Sequence, residues 1–278
     1  MREIFLYDDP ATENLRLPEI AEYLRGKLPG FRLEVRQNFF EHHIARLERV
    51  ERGRTIDQVA WEIASSRVRD LMRLNDEIDF EPLYGEVQFE RRGVIAPSRK
   101  PFGILYDGYT FVRALYRLIP QEERGSDRLH MAFTNQLIGT WSPEDGRYHA
   151  RVIICSIPCL ISTTGVVEAP AKPGEFYRLK RALEALSRGH VDYSLFVKLK
   201  EQFSDRFVDY GDERLTEILK GYAMQAVFYH FWGGPFCDDP DCRLFNAHRQ
   251  EEMIRAQVKS GRLCDKHEGM LKRSGAHK

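Results

Sequence analysis

A mixed, mostly parallel sheet with packed helices, leading into a helical C-terminal part, is the α/β (α+β) fold that this sequence predicts. Three observations carry it. Residues 4–35 run strand, helix, strand, the order of a βαβ unit, which pairs its strands in parallel. Residues 129–163 hold three strand-like runs with no helix between them, which implies antiparallel neighbours and so a mixed sheet. Beyond the proline-stiffened stretch Glu168-Ala169-Pro170-Ala171-Lys172-Pro173, the apolar spacing is helical. That stretch is the expected boundary between a sheet-containing part, 1–170, and a helical part, 171–278, which can still form one compact domain.

The first strand is Ile4-Phe5-Leu6-Tyr7, closed by the turn signal Asp8-Asp9-Pro10. Leu17-Pro18 opens a helix with proline in its first turn, where a missing N–H costs nothing, and Ile20, Ala21, Leu24 and Leu28 follow at helical spacing until Pro29-Gly30. Phe31, Leu33 and Val35 alternate with Arg32, Glu34 and Arg36, the pattern of a half-buried strand. Neighbouring His42 and His43 point different ways on any regular element, so they read as solvated surface. A helix is expected over 55–75, capped by Thr55 with Gln58 as the partner of a capping box. Arg91-Arg92 and Arg99-Lys100 read as flanking an exposed, proline-containing connection.

Residues 107–118 predict the next helix, and 129–133, 148–156 and 159–163 the three strands. Cys155 and Cys159 stand four apart; they read as buried thiols, although strand ends could bring them together. Helical stripes follow at Phe176, Leu179, Leu183 and Leu186, ended by Gly189, and at Leu195, Leu199 and Phe203. A long amphipathic helix is expected from Asp212, with Leu215, Ile218, Leu219, Tyr222 and Ala226 on one stripe, ending at His230-Phe231-Trp232-Gly233-Gly234-Pro235.

The 42 basic and 42 acidic residues cancel, so no overall field draws nucleic acid or an anionic membrane, and a 42% hydrophobic content can fill a sizeable core. No apolar run approaches the roughly 20 residues that span a bilayer, and Met1-Arg2-Glu3 enters a strand without a signal sequence. Cysteines that read as reduced thiols predict a cytoplasmic protein.

Three of the five cysteines carry the strongest chemical signal. Cys237 and Cys242 form C-x4-C, and Cys264 and His267 form C-x2-H after an interval of 21 residues. Each pair closes a small loop, and the helical insert around residues 249–257, stopped by Gly261, returns the second pair to the first. Three thiolates and one imidazole complete a tetrahedral shell, so Cys237, Cys242, Cys264 and His267 are expected to hold one structural zinc ion. Free buried thiols are the alternative, but Asp238-Asp239-Pro240-Asp241 is too polar for a core segment. Glu251 and Glu252 beside Arg249 and Arg255 deny the insert the basic face of a nucleic-acid-reading finger.

A helix, a glycine turn, a C-x4-C pair and a distal pair resemble the archaemetzincins, zinc metallopeptidases of the metzincin type carrying H-E-x-x-H-x-x-G-x-x-H-C. The resemblance implies a zincin-like fold. It places His230 at the second zinc histidine, Gly233 at the turn glycine and Cys237 directly after the third histidine. Ala226, Val227 and Phe236 stand at the first histidine, the general-base glutamate and the third histidine, and Leu244 where the family has methionine. Positions 226 and 230 would share a helix face, with the glycine turn returning 236 to them. The resemblance also implies a peptide-binding edge strand within residues 146–162. The expected function is therefore a zinc-binding metallopeptidase homologue without the standard catalytic centre, acting as a scaffold for a peptide or protein ligand. The other reading is a divergent metal-dependent hydrolase, in which His230 is the remnant ligand, joined by His149 or His130, with Glu168 as base.

Overall fold

The computed structural model describes residues 1–78, 80–97, 102–186 and 193–275. Eight strands form two sheets: β1 Glu3–Tyr7, β2 Arg32–Arg36, β3 Leu105–Asp107, β4 Arg128–Thr134, β5 Leu137–Ser142, β6 Arg147–Arg151, β7 Ile153–Ile154 and β8 Cys159–Ser162. The main sheet has the order β2-β1-β4-β8-β7, parallel except for β7, and the smaller one the order β3-β5-β6, with β5 and β6 antiparallel. The mixed, mostly parallel α/β architecture is as expected.

Helices cover both faces of the main sheet, because β1 alternates strictly. Ile4 and Leu6 join α1 Leu17–Lys27 on one side; Phe5 and Tyr7 point to the other, towards α2 Phe39–Ile44, α3 Arg49–Ser65, α4 Tyr84–Ile95 and α5 Gly108–Leu118. All four are at most 4% exposed, and each such burial stabilises the fold by about 1.5–3 kcal/mol. The C-terminal part adds α6 Thr163–Glu168, α7 Gly174–Leu186, α8 Tyr193–Gln202, α9 Leu215–Trp232, α10 Gln250–Ile254 continuing as a π-helical turn over Arg255–Ser260, and α11 Asp265–Gly275. Phe176, Leu199, Phe203 and Phe207 form a small apolar cluster of their own. Gly189, the expected stop of α7, lies outside the described residues.

Several local expectations are overturned. The helix expected over 55–75 begins at Arg49 and ends at Ser65, so Thr55 caps nothing. It stops there because the next residues pair with β3, through Val68 N–H to Leu105 O (2.8 Å) and Asp107 N–H to Ser66 O (2.6 Å). Arg91 and Arg92 belong to α4, a helix the sequence did not announce; tertiary ion pairs hold it, Arg91 to Asp57 at 2.7 Å and the buried Glu90 to Arg67. Arg99 and Lys100 lie outside the described residues. The strand expected over 148–156 breaks at Val152, where the chain leaves the small sheet for the main one. On β2, Arg36 is buried and Val35 is 41% exposed, the reverse of the alternation. Arg36 can be buried because it pairs with Glu123 and lies over the Phe5 ring at 3.7 Å.

The long helix α9 is not amphipathic. Ile218, Leu219, Tyr222, Ala223, Met224, Ala226, Val227 and Phe228 are all buried, a run that covers every face. α9 is a central helix, packed on α1, β4 and β8 and on the cysteine module behind it. Among the described residues no helix is long and apolar enough to cross a membrane.

Candidate metal centre and adjacent cleft

The cysteine module folds as the spacing predicts. Leu244 O accepts from Cys237 N–H (2.8 Å) and Arg262 O from Arg243 N–H (2.8 Å), which lays the loop of the first pair beside the segment that carries the second. Gly261 closes the insert with φ 63°, a left-handed conformation that favours glycine. Cys264 then opens the last turn, and His267 N–H bonds back to its carbonyl at 3.0 Å.

The result brings Cys237, Cys242, Cys264 and His267 together with one donor atom each, all within 4.8 Å of one another. Sγ of Cys237 and Cys264 lie 3.9 Å apart, too far for a disulfide and close to the edge of about 3.8 Å that two thiolates span on a tetrahedral zinc ion. Nδ1 of His267 faces the sulfurs, 3.7 Å from Cys242 and 3.0 Å from Cys264. Backbone N–H groups of Leu244 and Cys264 point at Cys242 Sγ (3.5 and 3.4 Å), as they do around thiolates. Burial, with the neighbouring Cys237 and Cys264 thiols, pushes the Cys242 thiol up to about 12, and a divalent cation reverses that balance. The donor set therefore fits a zinc ion, and these four residues would hold it.

The module is fastened to α9 from two sides. Arg243, almost fully buried, donates to Gly261 O, to Glu217 O and to the Glu217 carboxylate. Gln257, on the π-helical turn, donates to Arg243 O at 2.9 Å and lies directly over Gly221 of α9. Neither role was visible in the sequence, since both depend on contacts between α9 and the insert.

On its other side α9 borders a cleft of about 800 Å³ between itself and the small sheet. Tyr222, Gln225 and Tyr229 line it from the helix, Arg147, His149 and Arg151 from β6, and Phe236 and His248 from the module. Gln225 is 1% exposed; its amide donates to Phe245 O at 3.2 Å, and its Oε1 has no partner. The helix face bordering the cleft is therefore 222, 225 and 229, of which only Tyr229 is exposed. The expected register of 226, 230 and 236 is not realised: Ala226 and Val227 are buried in the core, and of those positions only 236 lines the cleft.

His230 sits on another side of α9, with Nε2 3.0 Å from Ser126 O and its pKa lowered by burial. Of the other candidates His130 is near enough to feel its charge, but the two are not part of any group of three donors among the described residues. His149 pairs with Asp145 at 2.7 Å in the cleft, and Glu168 accepts from Tyr210 at 3.0 Å. His130 bonds Tyr7 and Glu123. Among the described residues the Cys3His set is the one group of three or more side chains spaced to hold a metal. Cys159 is buried as expected, and Cys155 reaches the cleft wall and hydrogen-bonds with it, so the two thiols do meet. Within 146–162 both β6 and β7 are edge strands; the free edge of β6 is engaged at Tyr148, whose N–H donates to Leu71 O (2.8 Å), and Val152 O, between the two strands, accepts from Ser162 N–H (2.7 Å).

His43, read as solvated surface, is instead 3% exposed. His130 Nε2 faces the Glu123 carbonyl at 3.0 Å, which can only accept, so Nε2 carries the proton and Nδ1 accepts a hydrogen bond from the Tyr7 hydroxyl at 2.8 Å. That hydroxyl then accepts from Arg36 (2.8 Å) and from His43 Nε2 (3.1 Å). Burial pushes His43 down to about 3 and His130 to about 4, so both are neutral. Burial works to raise Glu123, but the hydrogen bonds and charge of Arg36 outweigh it and bring the carboxyl to about 2.

The chain matches, over residues 1–274, the model of a family described as "Probable metallopeptidase family (DUF6775)". Among solved structures, an archaemetzincin from Methanopyrus kandleri aligns with 98% of this chain and 94% of its own, at 10% identity and a TM-score of 0.44. A zinc-dependent peptidase from Methanocorpusculum labreanum aligns with 97% of this chain and 99% of its own, at 11% identity and a TM-score of 0.40. No curated protein matches.

Proposed function

This chain belongs to the Probable metallopeptidase family (DUF6775), and on that premise we propose that it is a zinc-stabilised, peptide-binding member with no zinc-peptidase centre on its central helix. Cys237, Cys242, Cys264 and His267 hold one zinc ion with four protein donors, a shell that leaves no position for a reacting water, so the ion stabilises the module and performs no hydrolysis. One observation carries the reading of the cleft: α9 turns Tyr222, Gln225 and Tyr229 towards it, and none of these is a metal ligand of the usual kind or a general base. Metal-assisted peptide hydrolysis needs about three ligands around an open position and a group that takes the proton from bound water. His230, held by Ser126 on another side of the helix, serves neither need.

The test is a pool of short fluorescent peptides, followed by anisotropy for binding and by mass spectrometry for cleavage. Saturable binding with intact peptides is expected. Cleavage that stops on chelation and returns with added zinc would overturn the reading.

A further inference from the structure

We propose that the ligand of the cleft is an anionic peptide, recognised through its carboxylates by Arg147 and Arg151; the inference rests on the peptide-binding reading above. These two arginines stand on β6 with His149 between them, at alternate positions of one strand, so all three side chains leave the same face, about 7 Å apart from one to the next. No Asp or Glu is among the residues that line the cleft, while His248 stands on the opposite wall.

Several arginines of this protein, the buried ones above all, are satisfied by carboxylates. Arg36 holds Glu123, Arg67 holds Glu90, Arg243 holds Glu217 and Arg255 holds Asp241. The cleft pair differs. Arg151 spends its Nε on the Thr140 hydroxyl at 2.8 Å, and Arg147 makes a long contact to the His149 ring at 3.5 Å. Neither has a carboxylate within 4 Å among the described residues. Asp145 is exposed, engaged with His149 at 2.7 Å and close enough to feel the Arg147 charge. In a protein with 42 basic and 42 acidic residues, a concave wall on which two guanidiniums hold no carboxylate, Asp145 being taken by His149, is a local field that an anion fits.

Gln225 supplies the second observation. Its Oε1 is buried at the cleft wall with no donor, a position that costs free energy unless something donates to it. A peptide N–H does so. Exposed Tyr109, Tyr229 and Phe236 border the same space and give the remainder of a peptide apolar surface to cover. A mere inorganic anion would satisfy the arginines but would leave Gln225 without a donor.

The experiment uses the full chain and three fluorescent hexapeptides of one sequence, carrying Glu, Gln or Lys at alternate positions, each with a free and an amidated C terminus. Binding is read by anisotropy at low salt and at 0.5 M sodium chloride, where the Debye length falls to roughly 4 Å. The Glu peptide should bind about tenfold more tightly than the Gln peptide, and the advantage should collapse at high salt. In Arg147→Gln/Arg151→Gln the advantage should disappear while the Gln peptide binds as before; thermal melting verifies the fold, and Arg147→Gln alone serves if the double variant is unstable. A free-terminus advantage in the Gln peptide that also needs the arginines would assign them to a terminal carboxylate; an advantage seen only with Glu assigns them to side chains. Equal binding of Glu and Gln peptides overturns the anionic inference and leaves the peptide-binding reading standing. So does a Glu advantage that survives in the arginine variants. Absence of binding by any peptide removes both.

Discussion

The ring of Phe228 stands at 90° to the imidazole of His267, with 5.1 Å between ring centres. Phe228 is fully buried on α9, and His267 contributes the nitrogen of the Cys3His set, so the central helix and the metal site share one edge-to-face contact. Phe228→Ala should therefore cost about 3–5 kcal/mol of stability, and it should also release zinc faster to a colorimetric chelator. Loss of stability with unchanged zinc release would mean that the contact does not support the ligand.

Gly221 is required by a close approach. A Cβ built there would lie 1.7 Å from Gln257 Oε1 and 2.4 Å from its Cδ, and Gln257 is 1% exposed and bonded to Arg243 O. In an ordinary helix Gly→Ala stabilises; here Gly221→Ala should destabilise by roughly 1–3 kcal/mol, because the amide must abandon Arg243 or the helix must shift. A chemical-denaturation midpoint at or above that of the parent would refute this packing.

Acid should weaken the fold through His43 and His130. Both have folded pKa values, about 3 and about 4, below the ordinary 6.5, so the unfolded chain binds more protons throughout the interval. Their contribution is complete above pH 6.5 and is lost as pH falls towards 4, at up to about 1.4 kcal/mol per pH unit for each ring. Glu123, lowered to about 2 from 4.5, adds a loss of the same sign below pH 4.5. Urea unfolding at pH 7.5 and pH 5.5 should show a smaller pH dependence in His43→Gln than in the parent. Identical dependence would place the acid sensitivity elsewhere.

His230→Ala should lose one hydrogen bond to Ser126, about 0.5–1.5 kcal/mol, and leave zinc content and peptide binding unchanged. A drop in zinc content, measured on folded protein, would restore His230 to a metal-binding role.

The legible parts of this fold were those set by local periodicity and spacing. Ile4 to Tyr7, the proline-led α1 and the C-x4-C and C-x2-H pairs announce themselves within a few residues, because alternation, capping and loop closure are short-range. α4 stayed hidden because Glu86 and Glu90 hold it to Arg67 and Arg69, partners some 20 positions away. His43 and Arg36 read as surface since nothing near them in sequence shows that Tyr7 and Glu123 await them inside. The face of α9 was misread for a related reason: a helix buried all round has no stripe, so only its packing decides that Gln225 rather than Ala226 looks into the cleft.

Zinc stoichiometry of the purified chain is the most direct measurement. Three thiolates and an imidazole in finger peptides bind zinc with apparent energies of about 10–16 kcal/mol, so the ion should survive purification. The account predicts one zinc per folded chain, lost in Cys242→Ser together with much of the thermal stability, and retained in His230→Ala. Two zinc ions per chain, or one that persists in folded Cys242→Ser, would contradict it.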